Sequence, residues 1–169
     1  IMKDTFLLLA IIVTPFLEQS EDTSLLDIRK LFYQATEESE SADFLNEMLT
    51  ESLTSKDITL RGYKGISFML LSKHAYNPYT KISYFTKGSA ILDQAIQEDN
   101  ENIELRFLRY TIQCEAPIFL NYRSELSLDL KFIQTQINNL KDFDLKKRIN
   151  DYLDEQTNRL AGSSKTNQF

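Results

Sequence analysis

The side chains of this sequence that could perform chemistry are few, and their numbers exclude several kinds of active site. His74 is the only histidine and Cys114 the only cysteine. A metalloprotease motif of the HExxH type needs two histidines, and a structural zinc site needs several cysteines or histidines at ligand spacing. No glycine-rich phosphate loop and no GxSxG nucleophile motif occurs. We therefore predict no enzymatic activity, no catalytic residue, no metal and no cofactor.

His74 stands just before Asn77-Pro78, which predicts the end of one helix and the start of the next. A histidine at a helix end commonly interacts with the helix dipole or forms a packing hydrogen bond. Catalysis would need a constellation of groups around it. We keep His74 and Asn77 as candidate partner-binding residues.

A stripe of polar side chains forms the second candidate site. Arg106, Arg109 and Gln113 are spaced by three and four residues, so they share one face of a helix, with Tyr110 adjacent. Arginines in an acidic protein readily form ion pairs. One interpretation of the stripe is a set of internal salt bridges with acidic residues near it in sequence. Those residues are Glu98, Asp99 and Glu104.

Five tyrosines could gather around the Asn77-Pro78 turn. They are Tyr63, Tyr76, Tyr79, Tyr84 and Tyr122. Tyrosine suits interfaces because its apolar ring carries a polar tip. An aromatic patch would make Tyr63 a candidate binding residue, whereas the commoner alternative is that the rings fill gaps between neighbouring helices.

The elements that must position these residues are helices. Glycine (4) and proline (3) are scarce, which disfavours the many tight turns of a β-sandwich or barrel. From Ser24 onward, apolar residues recur at spacings of three and four in successive segments. The sequence predicts an all-α fold of about seven helices, paired as antiparallel hairpins by short connections.

Capping residues predict where these helices begin. They are Ser24, Asp57 or Thr59, Asn77, Asn102, Ser124, and Asp142 or Asp144. Gly62 and Gly65 lie on the apolar surface of the third helix. Because glycine lowers helix propensity by about 1 kcal/mol relative to alanine, we expect a neighbouring backbone to approach closely there. The acidic run from Glu37 to Glu40 predicts a solvated turn.

Three segments differ in composition. Residues 1–20 contain an apolar run of 13 residues between Asp4 and Glu18, shorter than the span of about 20 residues that a membrane needs but typical of a secretory signal peptide. Residues 21–160 suit a single helical domain, and residues 161–169 a flexible tail. A buried N-terminal helix or strand is the alternative. Export predicts a periplasmic or secreted protein without a stable membrane span after signal cleavage.

Net charge restricts the partners. The sequence has 25 acidic and 19 basic residues, a formal net charge of -6. This sign opposes the electrostatic attraction that dominates affinity for nucleic acids. We therefore predict no nucleic-acid partner, and the sequence leaves the oligomeric state open.

Residues 59–116 resemble a degenerate tetratricopeptide repeat. In the second helix of such a repeat, a small residue, a bulky residue and an alanine follow at fixed spacing, and a proline ends the pair. Gly88, Leu92 and Ala95 reproduce that spacing, and Asn100 stands where the proline would be. The resemblance implies helix hairpins stacked in a short right-handed array, although an irregular bundle fits the same periodicity.

Residues 60–122 are also similar to a group of uncharacterised exported bacterial helical proteins. The similar positions are Gly62-Tyr-Lys-Gly65, Lys73-His74, Asn77-Pro78, Tyr84-Phe85, the run from Glu104 to Tyr110, and Ala116-Pro117. This resemblance implies a place in the bacterial envelope and brings no known activity with it.

A binding role for the arginine stripe follows from the first resemblance. In tetratricopeptide-like domains the first helix of each pair lines a concave groove, so Arg106, Arg109, Tyr110 and Gln113 would form a surface for a carboxylate or a peptide. We expect a non-enzymatic scaffold that binds an unknown protein or peptide. One alternative is a structural envelope protein that self-associates without a ligand groove. An enzyme that uses His74 with a carboxylate is the least favoured.

Overall fold

Seven α-helices make up most of the described chain, which in this computed structural model comprises residues 24–54 and 56–166. The helices are α1 (Leu25–Glu37), α2 (Ser39–Met48), α3 (Ile58–His74), α4 (Pro78–Glu98), α5 (Ile103–Glu115), α6 (Leu126–Gln136) and α7 (Phe143–Thr166). Short 3-10 helices cover Thr50–Thr54, Ile118–Leu120 and Ile137–Asn139. No strand occurs in these ranges, and the predicted all-α class is confirmed. The predicted signal segment, residues 1–20, lies outside the described residues.

Local capping chemistry sets most of the helix starts. The side chains of Ser24, Asp57 and Asn102 each accept a backbone N–H hydrogen bond in the first turn of the following helix. Asn77 Oδ1 accepts from Tyr79 N at 2.8 Å, directly after which the chain continues as α4. These bonds satisfy donors that the helix itself leaves unpaired. The predicted starts at these residues are therefore confirmed.

Three helix bounds differ from the predicted ones. α6 begins at Leu126 after Glu125, which is already in right-handed helical conformation, rather than after Ser124. α2 begins at Ser39, so much of the acidic run that predicted a turn is helical. α7 continues to Thr166, past the predicted end of the domain at residue 160. Ion pairs one turn apart, such as Arg159 with Glu155, support this largely exposed helix.

α3 and α4 are antiparallel and approach each other at two glycines. A Cβ atom added to Gly65 would lie 2.7 Å from Gly88 O and 2.8 Å from Leu92 N, both backbone atoms of α4. The expected close approach is therefore present at Gly65. At Gly62 the neighbour is instead the Leu105 side chain of α5.

We expect Gly65→Ala to lower the free energy of unfolding by about 1–3 kcal/mol, since overpacking at rigid backbone outweighs alanine's gain of about 1 kcal/mol in helix propensity. Chemical denaturation measures this. Gly62→Ala is the matched control and should cost less, because the end of the Leu105 side chain can move aside. Equal or greater stability of Gly65→Ala would show that the two helices do not touch at this position.

Two apolar cores meet at α5. Its residues Leu105 and Leu108 belong to the larger core, which α1 to α4 share. Its residues Phe107 and Tyr110 belong to the smaller core with α6 and α7. Each fully buried side chain of this kind contributes about 1.5–3 kcal/mol. α5 is therefore held on two sides, and its remaining face carries the arginine stripe.

Candidate functional site

The stripe of Arg106, Arg109 and Gln113 lies on one face of α5, as its spacing predicts, and turns toward α4 and α6. Asp129 of α6 lies beneath it and is fully buried, with 0% of its surface exposed. Arg109 donates two parallel hydrogen bonds to this carboxylate, from Nε to Oδ2 at 2.7 Å and from Nη2 to Oδ1 at 2.9 Å. Arg106 Nη1 donates to Asp129 Oδ1 at 3.0 Å. Two arginines therefore share one buried counterion.

A second carboxylate, that of Asp93 in α4, also binds Arg109. Asp93 Oδ1 accepts from Arg109 Nη1 at 3.2 Å and from the Tyr122 hydroxyl at 3.0 Å. Burial opposes the charge of Arg109, but hydrogen bonds and attraction from Asp129 and Asp93 outweigh it, so the pKa of Arg109 lies above its usual value. Burial, followed by the charge of Asp93, raises the pKa of Tyr122 well above its usual value. Arg109 therefore stays charged and Tyr122 stays a neutral hydrogen-bond donor at neutral pH.

Arg106 is fixed at the edge of this cluster. Its Nε donates to the Asn100 carbonyl oxygen at 2.7 Å, and its guanidinium lies 4.3 Å from the ring centroid of Phe132. The ring attracts the cation through its quadrupole. Arg106 of α5 is thus oriented both by the connection between α4 and α5 and by α6.

An open cleft of about 540 Å³ lies over these side chains, between α4, α5 and the start of α6. This volume is in the range of small-ligand sites, roughly 300–1,000 Å³. The lining residues are Asp93, Ile96, Gln97, Asn100, Arg106, Arg109, Gln113, Tyr122, Ser124 and Glu125. Three residues of the predicted stripe therefore meet in one concave surface.

Gln113 is the unusual member of the cleft wall. Its side chain is only 1% exposed, yet Oε1 accepts no hydrogen bond from any described residue. A buried acceptor without a donor costs about 1–3 kcal/mol. Gln113 lines the cleft, so a donor supplied from the cleft would remove that cost once the amide turns its oxygen toward it.

No protein-family model, curated protein or solved structure matches this chain. Within the described ranges, no helix is both long and apolar enough for a bilayer crossing. In the same ranges, no group of three histidine, cysteine or acidic side chains could hold a metal ion.

The salt-bridge interpretation is right in kind but names the wrong partners. Glu98 pairs with Arg61 of α3, and Glu104 pairs with Arg29 of α1. The physical reason is that Glu104 projects from another face of α5 than Arg106 and Arg109. Their partners come instead from neighbouring helices.

The fourth member of the predicted stripe, Tyr110, lies outside the cleft. It is buried against α7, with its ring centroid 6.1 Å from that of Tyr152. Burial and the neighbouring Cys114 raise its pKa to about 12. Tyr110 follows Arg109 by one position, which turns it by about a quarter of a helical turn into the smaller core.

His74 and Asn77 lie at the end of the α3/α4 hairpin rather than at the cleft. His74 Nε2 is 2.9 Å from the Ala35 carbonyl oxygen of α1, so the histidine joins two helix ends. Asn77 caps α4. The cap role of Asn77 and the packing hydrogen bond of His74 are both structural contacts that the sequence also predicts.

Tyr63 belongs to a second buried polar cluster. Its hydroxyl donates to Glu104 Oε1 at 2.7 Å. Arg29, which is 4% exposed, donates to both oxygens of Glu104 at 2.7 Å, and also to Asp142 and Asp144 at the start of α7. Hydrogen bonding by Arg29 lowers the pKa of Asp142. This cluster ties α1, α3, α5 and α7 together and is a structural feature.

The five tyrosines do not gather into one patch. Tyr63 is buried, whereas Tyr76 and Tyr79 are exposed by 100% and 85%. Tyr84 stacks on Phe68 and Tyr122 packs edge-on to Phe85. The rings separate because Tyr76 and Tyr79 flank the helix boundary, while the others each fill a different groove between helices. Only Tyr122 reaches the cleft.

Sequence reasoning missed Asp129 and Asp93, the two acids that organise the cleft. A signal for Asp129 is present in the sequence. It lies between Leu126 and Ile133 on the apolar stripe of α6, at spacings of three and four. A carboxylate in such a stripe must be paired when the stripe is buried. Asp93 gives no comparable signal.

Proposed function

We propose that this protein is a non-enzymatic interaction module that binds a protein or peptide segment in the cleft between α4, α5 and α6. The proposal is supported by the coincidence of Arg106, Arg109 and Gln113 in one concave surface. The observation that carries it is the unpartnered Oε1 of buried Gln113, which lacks a donor among the described residues. A ligand would supply that donor.

The cleft is suited to this role because its walls are fixed before a ligand arrives. Asp129 and Asp93 hold the Arg109 side chain on three nitrogens, and Phe132 with Asn100 holds Arg106. Side chains that are already ordered lose little entropy on binding. The polar groups therefore form a preorganised surface.

The proposal also includes the cellular location of the protein and its relationship to tetratricopeptide-like domains. The short apolar run within residues 1–20 supports export to a bacterial envelope as a periplasmic or secreted protein. The small, bulky and alanine positions at Gly88, Leu92 and Ala95 support a tetratricopeptide-like origin for the α3 to α5 region. In that setting a groove for an extended peptide fits the interaction role.

Blocking the cleft tests the function. A random peptide library displayed on phage is selected against the full chain, and the affinities of the enriched peptides are measured by fluorescence polarisation. We expect Gln97→Trp to weaken these peptides by at least about tenfold, which corresponds to about 1.4 kcal/mol. Gln97 is exposed in the cleft wall, so the larger ring fills the cleft from outside the buried cluster.

Gln134→Trp is the matched control, because Gln134 is an exposed helical residue of α6 outside the cleft lining. This control should bind the same peptides as strongly as the unchanged protein. Circular dichroism checks that both variants keep their helices. Peptides that bind Gln97→Trp with unchanged affinity would show that the cleft is not the binding surface.

Self-association is the second candidate function. The observation that favours it is the exposure of large apolar side chains around helix boundaries, including Tyr76, Ile118 and Phe119. Multi-angle light scattering on the full chain decides this point. A strict monomer over a wide concentration range removes the candidate, whereas a discrete dimer that survives the exchange Gln97→Trp supports it.

A further inference from the structure

We propose that the cleft takes a basic group, the ammonium or guanidinium of a lysine or arginine side chain of its partner. This inference rests on the proposed peptide-binding function and names the chemistry of the ligand. It differs from the carboxylate that the arginine stripe alone would suggest. The charges and the free hydrogen-bonding groups of the cleft suit a cation.

The cleft is slightly acidic despite its arginines. The two guanidinium groups of Arg106 and Arg109 stand against three carboxylates, those of Asp93, Asp129 and Glu125. The net formal charge is therefore minus one. A cation entering the cleft gains attraction, while an anion meets a surplus of negative charge in partly desolvated surroundings.

Five of the six guanidinium nitrogens of Arg106 and Arg109 already donate to acceptors of the protein. All three nitrogens of the Arg109 guanidinium donate to Asp129 or Asp93. Arg106 donates through Nε to Asn100 O and through Nη1 to Asp129. Only Arg106 Nη2 donates to no described residue. A carboxylate would find this one free nitrogen, but to pair with Arg109 as well it would have to compete with Asp129, which is fully buried.

The acceptors of the cleft are the groups that remain free. Gln113 Oε1 is buried and unpartnered. Asp93 Oδ2 accepts no hydrogen bond from the described residues, since both donors to Asp93 use Oδ1. The half-buried carboxylate of Glu125 forms no ion pair in the described part of the chain. Ammonium and guanidinium groups carry donors alone, which matches this set.

The apolar part of the lining fits the stem of such a side chain. Ile96 is buried in the cleft wall between the polar groups. Long basic side chains lay their methylene groups along apolar surface while the charged end reaches polar partners. The cleft therefore offers both halves of a site for lysine or arginine.

Small probes of defined charge test the inference on the full chain. The protein labelled with ¹⁵N is titrated with n-butylammonium chloride, n-butylguanidinium chloride, sodium butyrate and, at equal ionic strength, sodium chloride. We expect the two cations to shift the Gln113 side-chain amide signal and the backbone amides near it. Butyrate and sodium chloride should leave these signals in place.

Paired variants locate the effect. Glu125→Gln should weaken both cations by about tenfold through loss of one charged acceptor. Glu40→Gln changes the net charge equally at an exposed position of α2 and should leave their affinity unchanged. An equal effect of the two variants would overturn the inference, because it would reflect net charge alone.

The failure of this inference is distinguishable from failure of the proposed function. Shifts of the Gln113 signals caused by butyrate and not by the cations would overturn the inference that the ligand is basic. The cleft would still be a binding site. Enriched peptides that Gln97→Trp weakens but that lack lysine and arginine would do the same. If Gln97→Trp leaves the affinity for the peptides unchanged, both proposals are overturned together.

Discussion

Asp129→Ala should lower the free energy of unfolding by about 3–5 kcal/mol, one of the two largest effects we expect from a single substitution in this chain. The carboxylate is fully buried and neutralises two arginines at once. Its removal leaves Arg109 buried with one partly exposed counterion, Asp93. Urea denaturation followed by circular dichroism at 222 nm measures the loss.

Two further variants separate charge from packing. Asp154→Ala makes the same exchange at an exposed position of α7 and should change stability by less than about 0.5 kcal/mol. Asp129→Leu combined with Arg109→Met should recover much of the loss, because a buried pair can be replaced by apolar side chains at little cost. A loss below about 1 kcal/mol for Asp129→Ala would contradict the buried position of this carboxylate.

Glu104→Ala is the second large prediction, again a loss of about 3–5 kcal/mol. Glu104 accepts two hydrogen bonds from Arg29 and one from the Tyr63 hydroxyl. Without it, Arg29 keeps only Asp142 and Asp144, which are more exposed, and the buried Tyr63 hydroxyl loses its acceptor. Thermal and urea denaturation should agree on the size of this effect.

The control for Glu104 lies three residues before it. Glu101→Ala removes an exposed carboxylate from the connection between α4 and α5, so it should change stability by less than about 0.5 kcal/mol. Tyr63→Phe removes one neutral donor to Glu104 and should cost about 0.5–1.5 kcal/mol. If Glu104→Ala were no worse than Tyr63→Phe, the ion pair with Arg29 would contribute nothing.

Local chemistry made part of this fold predictable. The caps at Asp57, Asn77 and Asn102 depend on a side chain and the backbone within the next turn, so the sequence specifies them directly. The common face of Arg106, Arg109 and Gln113 follows from helical period alone. The segment after Glu37 shows the limit of such local prediction. It was predicted as a turn but is largely helical, because serine and glutamate continue a helix when packing favours it.

The partners of the cleft arginines were not predictable in the same way. Asp129 and Asp93 lie 20 and 16 positions from Arg109 and meet it only when α4, α5 and α6 pack. Proximity in sequence predicted Glu98 and Glu104 as the partners. In the folded chain these two residues pair with other arginines. Pairing with Asp129 and Asp93 weakens the attraction of these arginines for a carboxylate, and this is why we expect a basic ligand instead.

A crystal structure of the full chain with an enriched peptide bound tests the central claim most directly. We expect the peptide to occupy the cleft between α4, α5 and α6, with a donor nitrogen within hydrogen-bonding distance of Gln113 Oε1. Asp129 should keep its bonds to Arg106 and Arg109 in that complex. A peptide bound on another surface, with the cleft empty and Gln113 still without a donor, would contradict the proposal that the cleft is the binding site.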